Sequence, residues 1–147
     1  MSTKFAFSEM FDNAENGYPV DALPVGLEKC KEFGIRNVVI EIDLVYYSID
    51  YTRYTKQRIC ELLEKRIEWI RESLHPDSKI FVNLRDFADA MLTDPERQFY
   101  VVNFLSCMKE RIFGIAYEEG GNFFLEAISN LRIPLHVRVN PGLNFFF

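Results

Sequence analysis

The sequence has no long hydrophobic run and no excess of basic residues. No stretch approaches the ~18 apolar residues of a membrane span. Residues 1–10 also lack the basic region followed by an apolar stretch that marks a secretory signal. The net charge of −5 argues against a surface for nucleic acid or anionic membranes, since both need a basic patch. These absences predict a cytoplasmic protein with neither a nucleic-acid nor a membrane partner.

Cysteines and phosphate-binding motifs are also scarce. The three cysteines, Cys30, Cys60 and Cys107, have no CxxC spacing, which argues against a disulfide framework or a zinc site. They are predicted to be reduced thiols that pack as small hydrophobic side chains. The sequence has no glycine-rich phosphate loop, no Walker motif and no GxSxG motif. The usual signatures of nucleotide-binding and serine-hydrolase sites are therefore missing.

What recurs in the chain is a strand pattern that is apolar on one side and polar on the other. In Asn37–Tyr46 an apolar residue stands at every second position from Val38 to Leu44, and Glu41 and Asp43 alternate with them. The pattern returns in Lys79–Asp86 and Ile133–Asn140. Because successive side chains of a strand point to opposite faces, each strand has one apolar face and one face that carries charge.

The pattern predicts an α/β fold with a parallel sheet, because helical segments separate the strands. Strands are expected at 4–8, 37–46, 79–84, 111–117 and 133–139, and helices at 24–33, 55–74, 95–108 and 123–130. A doubly wound sheet would need two apolar faces, whereas a barrel can hold polar groups at one end of its lumen. The prediction is therefore a parallel (β/α) repeat that forms a partial TIM-type barrel over residues 1–140.

The chain length and its ending bear on this prediction. A full eight-stranded barrel takes about 250 residues, and this chain has 147. Residues 141–147 are predicted to be an aberrant or unstructured apolar tail, because three aromatics at Phe145–Phe147 would otherwise form an exposed patch. The tail is interpreted either as a packed end or as the point where a truncated sequence departs from a longer ancestor.

The candidate site residues come from the predicted strand ends, where parallel barrels carry their chemistry. Carboxylates that converge there with arginine, histidine and asparagine could bind a divalent metal or act as general acid and base. The predicted metal ligands are Asp43 and His136, and the predicted catalytic residues are Glu41, Arg85, Glu119 and Arg138. Asn83, Asp86, Glu118 and Asn140 lie beside them in the same segments.

Each candidate also has a structural interpretation. Glu41 or Asp43 could form an ion pair with Arg85 or Arg138 inside the barrel, because buried charges are rarely left unpaired. His136 could be a core histidine with satisfied hydrogen bonds, and Glu119 could belong to a solvated loop. The tyrosine-rich segment 46–54 could face a substrate or cover the barrel end.

Three segments together resemble the metal-dependent barrel lyases of the hydroxymethylglutaryl-CoA lyase type. They are Glu41-Ile42-Asp43, the segment from Phe81 to Asp86, and His136-Val137-Arg138-Val139-Asn140. His136 matches the first histidine of the family's His-x-His metal pair, and Arg138 stands in place of the second. The family's early Asp-Arg motif has no clear match near residues 4–9. The resemblance implies a metal-assisted carbon–carbon lyase or aldolase ancestry.

Three functions follow as hypotheses. The first is a truncated or degenerate lyase or aldolase, in which Asp43 or Glu41 and His136 hold Mg, Mn or Zn and Arg85 binds the carboxylate of a small anionic substrate. The second is a glycosidase-like barrel with paired carboxylates such as Glu41 and Glu119. The third is a non-catalytic protein that self-associates through open sheet edges. Catalysis by this chain alone is predicted to be weak or absent.

Overall fold

The structure is a computed structural model that describes residues 4–11, 22–45 and 49–117, and the backbone of 138–140 and 143–146. Helices and strands alternate along most of this length. In chain order they are β1 (Phe5–Glu9), α1 (Val25–Phe33), β2 (Asn37–Asp43), α2 (Lys56–Ser73), β3 (Ile80–Arg85), α3 (Phe87–Thr93), α4 (Pro95–Cys107), β4 (Gly114–Tyr117), β5 (Arg138–Asn140) and β6 (Leu143–Phe146). The predicted helix at 123–130 lies outside the described residues.

One sheet contains all the described strands, in the order β1-β2-β3-β4-β6-β5. The first four strands are parallel neighbours in sequence order. The predicted α/β fold with a parallel sheet and alternating helices is confirmed for this part of the chain. The doubtful first strand, expected at 4–8, is present as β1.

The last two strands differ from the prediction. The strand around Arg138 was expected to continue the parallel order, but β5 pairs antiparallel with β6, and β6 pairs antiparallel with β4. Only two residues separate β5 from β6, which is too few for the crossover that parallel neighbours need. Residues 143–146, assigned from the sequence to an unstructured tail, form β6.

Capping residues in the sequence account for the starts of α2 and α4 and for the end of α1. The Thr55 hydroxyl accepts a hydrogen bond from the Arg58 amide at the start of α2, and Asp94 does the same for the Arg97 amide at the start of α4. Gly34 ends α1 in the left-handed region, with φ of 66°. Helix α3 was not predicted. It begins directly after Asp86, which has a φ of 49° and turns the chain out of β3 without a loop.

The two faces of the sheet have different surroundings. Val38, Ile40 and Ile42 of β2 lie on the face that joins the main core, and the same core includes buried side chains of α1, α2, α3 and α4. The opposite face carries the alternate residues of each strand. On it, the rings of Phe5, Phe81 and Phe113 pack edge to face near the amino ends of the strands. The described helices therefore cover one face of the sheet.

Helix α1 approaches β1 closely enough to require glycine. A Cβ atom added at Gly26 would lie 2.6 Å from the Ser8 hydroxyl oxygen and 2.9 Å from the Ser8 Cα. Both contacts are too short for a side chain, so the small residue sets the distance between helix and strand. In the register of β1 with β2, the last residue of β1, Glu9, lies opposite Glu41.

Candidate functional site

The carboxyl ends of β1, β2 and β3 bring charged residues together on the face opposite the helices. Glu9 pairs with Glu41 in the strand register, Glu41 with Asn83, and Asp43 with Arg85. Each of these residues alternates with a residue of the main core, such as Ile42 between Glu41 and Asp43. The period of two in the sequence therefore places them on one face at one edge, and we call Glu9, Glu41, Asp43 and Arg85 the carboxylate cluster.

Arg85 is the centre of this cluster. Its Nε donates to Asp43 Oδ1 at 3.1 Å, and its Nη1 donates to Glu9 Oε1 at 2.9 Å and to Glu41 Oε2 at 3.0 Å. Its Nη2 donates to the second oxygens of Glu9 and Asp43. A guanidinium has five N–H groups. The five bonds therefore use the whole hydrogen-bonding capacity of Arg85.

The three carboxylates differ in their access to solvent. The side chain of Glu9 is 43% exposed, compared with 16% for Glu41 and 14% for Asp43. Asn83, fully buried beside them, donates from Nδ2 to Glu41 Oε1 at 3.5 Å. The cluster is therefore closed towards the sheet and open at Glu9, which is the side from which a ligand would reach it.

Burial and charge change the protonation of the cluster. The pKa of Glu9 is raised: burial is the largest cause, the charge and hydrogen bonds of Arg85 oppose it, and the charges of Glu41 and Asp43 add to the rise. Burial alone would lower the pKa of Arg85, but its hydrogen bonds and charge interactions with Asp43 and then Glu9 raise it above its ordinary value. Arg85 is thus a permanent cation, and Glu9 releases its proton less readily than a free glutamate.

The structure brings together some of the predicted site residues. Glu41, Asp43 and Arg85 are in direct contact through the hydrogen bonds of the guanidinium. Glu119 and His136 lie outside the described residues. Arg138 belongs to β5, and only its backbone is described. Of the other residues predicted to lie beside the site, Asn83 is buried next to Glu41, and Asp86 is exposed. Glu118 lies outside the described residues, and Asn140 belongs to β5, for which only the backbone is described.

Sequence reasoning missed Glu9, although a signal for it was present. Phe5, Phe7 and Glu9 follow the same period of two as the later strands, and Glu9 is the last residue of β1. The rule that sites lie at the carboxyl ends of parallel strands would have selected it. It was passed over because β1 is short and was doubtful as a strand.

Arg85 forms the ion pairs with Glu41 and Asp43 that its structural interpretation predicted. Its five N–H groups all donate to Glu9, Glu41 and Asp43. With three carboxylates around one guanidinium, the cluster carries an excess of negative charge when the acids are ionised. Such a site attracts a cation more readily than an anion.

The described residues contain no group of three histidine, cysteine, aspartate or glutamate side chains placed to hold a metal ion. In the carboxylate cluster, Arg85 contacts all three acids from between them. Each carboxylate has about four lone-pair sites, and each accepts two of the hydrogen bonds described above. Hard oxygen donors therefore remain on Glu41 and Asp43, but a further ligand would have to come from elsewhere in the chain.

Within the described part of the chain, no helix is both long and apolar enough to cross a membrane.

Cys30 and Cys60 are buried free thiols as predicted, and burial raises the pKa of Cys60 to about 12. Cys107, by contrast, is exposed, because it ends α4 on the side away from the core.

Comparison of the chain with protein-family profiles, with curated proteins and with solved structures finds no match in any of the three.

Proposed function

We propose that the carboxylate cluster is the floor of a substrate site in an enzyme of the metal-dependent lyase or aldolase class. The observation that carries the proposal is the convergence of Glu9, Glu41 and Asp43 on Arg85 at the carboxyl ends of three adjacent parallel strands. This is the edge at which (β/α) barrels carry out their chemistry. The resemblance of three sequence segments to barrel lyases supports the same class.

A partial barrel is part of the proposal. The described helices pack against one face of the parallel strands, as the outer helices of a barrel do. The carboxylate cluster would then lie at the mouth of the lumen, and the aromatic rings of Phe5 and Phe81 would lie deeper inside it. This arrangement accounts for charged residues on a face that a doubly wound sheet would cover with helices.

The excess of carboxylate supports a divalent cation as the cofactor. Asp43 and Glu41 would supply oxygen ligands, and His136 would supply the nitrogen ligand that the described residues lack. Oxygen donors suit Mg and Mn, and a mixed set with histidine also suits Zn. When bound, such an ion would polarise a carbonyl group of the substrate.

The residues of this chain would have separate roles in the proposed reaction. Arg85 holds Glu41 and Asp43 in fixed positions rather than binding the substrate itself. A small anionic substrate would therefore be attracted by the bound cation. Glu9 is the most exposed acid of the cluster and has a raised pKa, which suits a group that gives and takes a proton.

A titration of the protein with Mn²⁺, in which binding is measured by isothermal calorimetry, tests this proposal. We expect the protein to bind one Mn²⁺, and we expect Asp43→Asn and Glu41→Gln each to weaken that binding by a factor of about 10 or more, as the loss of a ligand or its support does. Glu61→Gln is the matched control, because Glu61 is a 62% exposed carboxylate on α2 that is paired with Arg58. Its affinity for Mn²⁺ should equal that of the wild type.

Two further results bear on the proposal. Carbon–carbon cleavage of 3-hydroxy acids, detected as carbonyl release, should require the metal and should fall in the Asp43 and Glu41 variants. Equal Mn²⁺ affinities for the wild type and all three variants would place the metal elsewhere and would refute the proposed site.

A glycosidase-like site is the second candidate, and one observation favours it. Glu9 and Glu41 contact the same nitrogen of Arg85, at 2.9 and 3.0 Å, so these two carboxylate oxygens lie close together. Retaining glycosidases use two carboxyl groups ~5–5.5 Å apart, one of them with a raised pKa. Hydrolysis of an aryl glycoside in the presence of EDTA, lost in Glu9→Gln and Glu41→Gln, would select this candidate over the lyase.

Self-association stays a prediction. In the described sheet, β1 and β5 are the edge strands, and Phe7 on β1 is 58% exposed. Unpaired backbone groups on an edge strand invite pairing with another chain.

A further inference from the structure

We infer that Tyr51 and Arg97 form a clamp on the carboxyl end of β2 that positions Asp43 against Arg85. Both are positioning residues, since they bond the backbone of the last residue of β2 and of the residue that follows it, and leave the carboxylates to Arg85. The clamp rests on these contacts, and only its effect on metal binding rests on the proposed function.

The clamp acts where β2 leaves the sheet. The pairing of β2 with β3 ends at Asp43 and Arg85. From there, Tyr51 Oη donates to the carbonyl oxygen of Asp43 at 2.9 Å, and Arg97 Nη1 donates to the carbonyl oxygen of Leu44 at 2.9 Å. Buried backbone carbonyls need partners. Two side chains, one from the turn after β2 and one from the first turn of α4, therefore fix the segment that carries Asp43.

The two clamp residues also hold each other. The guanidinium of Arg97 lies over the ring of Tyr51, 4.1 Å from its centre, in a cation–π contact. Arg97 Nη2 is paired with Asp94 Oδ2 at 2.9 Å, and Asp94 also caps α4. The side chain of Arg97 is only 17% exposed. The start of α4 thus anchors one half of the clamp.

A structured turn anchors the other half. The Asp50 carboxylate accepts hydrogen bonds from the hydroxyl and the amide of Thr52, which hold the pKa of Asp50 below its usual range. The amides of Arg53 and Tyr54 donate to the Asp50 carbonyl at 3.1 and 2.9 Å. The α2 cap at Thr55 follows directly. Tyr51 therefore projects from a turn whose backbone is already fixed.

The orientation of Asp43 depends on this support. Both of its oxygens bind Arg85, with Nε–Oδ1 at 3.1 Å, so its carboxylate must face the guanidinium in one plane. A change in the backbone at Asp43 would turn the carboxylate out of that plane. We therefore expect removal of the Tyr51 hydroxyl to loosen the bond from Arg85 Nε to Asp43 without breaking the core.

Nitrogen NMR of the arginine side chains tests the clamp without any ligand. Tyr51→Phe keeps the ring under Arg97 but removes the hydroxyl, and we expect the hydrogen-exchange rate of Arg85 Nε–H to rise about fivefold, the equivalent of one hydrogen bond of ~1 kcal/mol. Arg97→Lys, which keeps the charge but loses the planar fork, should raise the same rate. Tyr54→Phe is the control from the same turn, because the Tyr54 ring packs near Phe11, 6.2 Å between centres.

The outcomes separate the clamp from the proposed function. An unchanged Arg85 Nε–H rate in both folded clamp variants, or an equal rise in Tyr54→Phe, would refute the clamp. A faster rate in a protein that binds no Mn²⁺ would support the clamp and count against the metal site. If Mn²⁺ binds, Tyr51→Phe and Asp43→Asn should weaken it non-additively, and additive losses would contradict action through Asp43.

Discussion

Replacing Arg85 with methionine is expected to lower the free energy of unfolding by about 2–4 kcal/mol at pH 7, measured by urea denaturation. Removing one partner of a buried ion pair costs ~3–5 kcal/mol, and the cluster is partly exposed at Glu9, which reduces the cost. Methionine retains most of the apolar volume of the side chain. The loss therefore reports on three carboxylates left without their cation.

The cost should depend on pH. Glu9 already has a raised pKa, and the variant would lose the lowering effect of Arg85 on it. In the variant the folded pKa of Glu9 would lie further above the unfolded value, so the folded state would gain stability as the pH falls through that range. The difference between the wild type and Arg85→Met should therefore shrink as the pH is lowered from 7.

Arg111→Met is the matched control for this experiment. Arg111 also contacts two carboxylates, Glu64 at 2.9 Å and Glu68 at 3.4 Å, but all three side chains are more than a third exposed. Exposed pairs contribute ~0–1 kcal/mol, so this variant should lose little stability. An Arg85 variant that is no less stable than the Arg111 variant would contradict the role given to the cluster.

The second large effect is expected at Ile42, which lies between Glu41 and Asp43 on β2 and is fully buried on the helix-covered face. Ile42→Ala should cost about 2–4 kcal/mol, because it leaves a cavity between the sheet and the helices. Ile42→Val removes one methylene group and should cost about 1 kcal/mol. Thermal or urea unfolding measures both values.

Phe7→Ala provides the comparison on the other face. Phe7 loses a larger side chain than Ile42, but it is 58% exposed, so its replacement should cost at most about 1 kcal/mol. A greater loss at Phe7 than at Ile42 would show that the faces had been assigned the wrong way round. The same result would remove the physical basis for an accessible carboxylate cluster.

The sequence predicted the elements that have strong local signals. Strand β2 and helix α2 follow clear periods of two and 3.6, and α2 lies within the range predicted for it, 55–74. Helix α3 was missed because it is only seven residues long and starts at Asp86 without a preceding loop. The position of β6 was missed because Phe145 was assigned to a tail, and antiparallel pairing with β4 is a long-range choice.

The candidate site, too, was predicted from the sequence only in part. The period of two correctly predicted that Glu41, Asp43 and Arg85 share a face. It did not predict that Arg85 would bind three acids at once, since that depends on the register of β1 beside β2. The contact between Tyr51 and Arg97 also could not be predicted from the sequence, because the two residues are far apart in the chain and meet only through tertiary packing.

The most direct measurement of the proposed site is paramagnetic broadening of the amide resonances by Mn²⁺. We expect a substoichiometric amount of Mn²⁺ to broaden the amides of Glu9, Asp43 and Arg85 at the carboxyl ends of the strands. The amides of Phe5 and Ile80, about 13–17 Å away along the strands, should keep sharper signals. Broadening centred instead on the acidic surface of α2 at Glu64 and Glu68, or no broadening at all, would contradict the account.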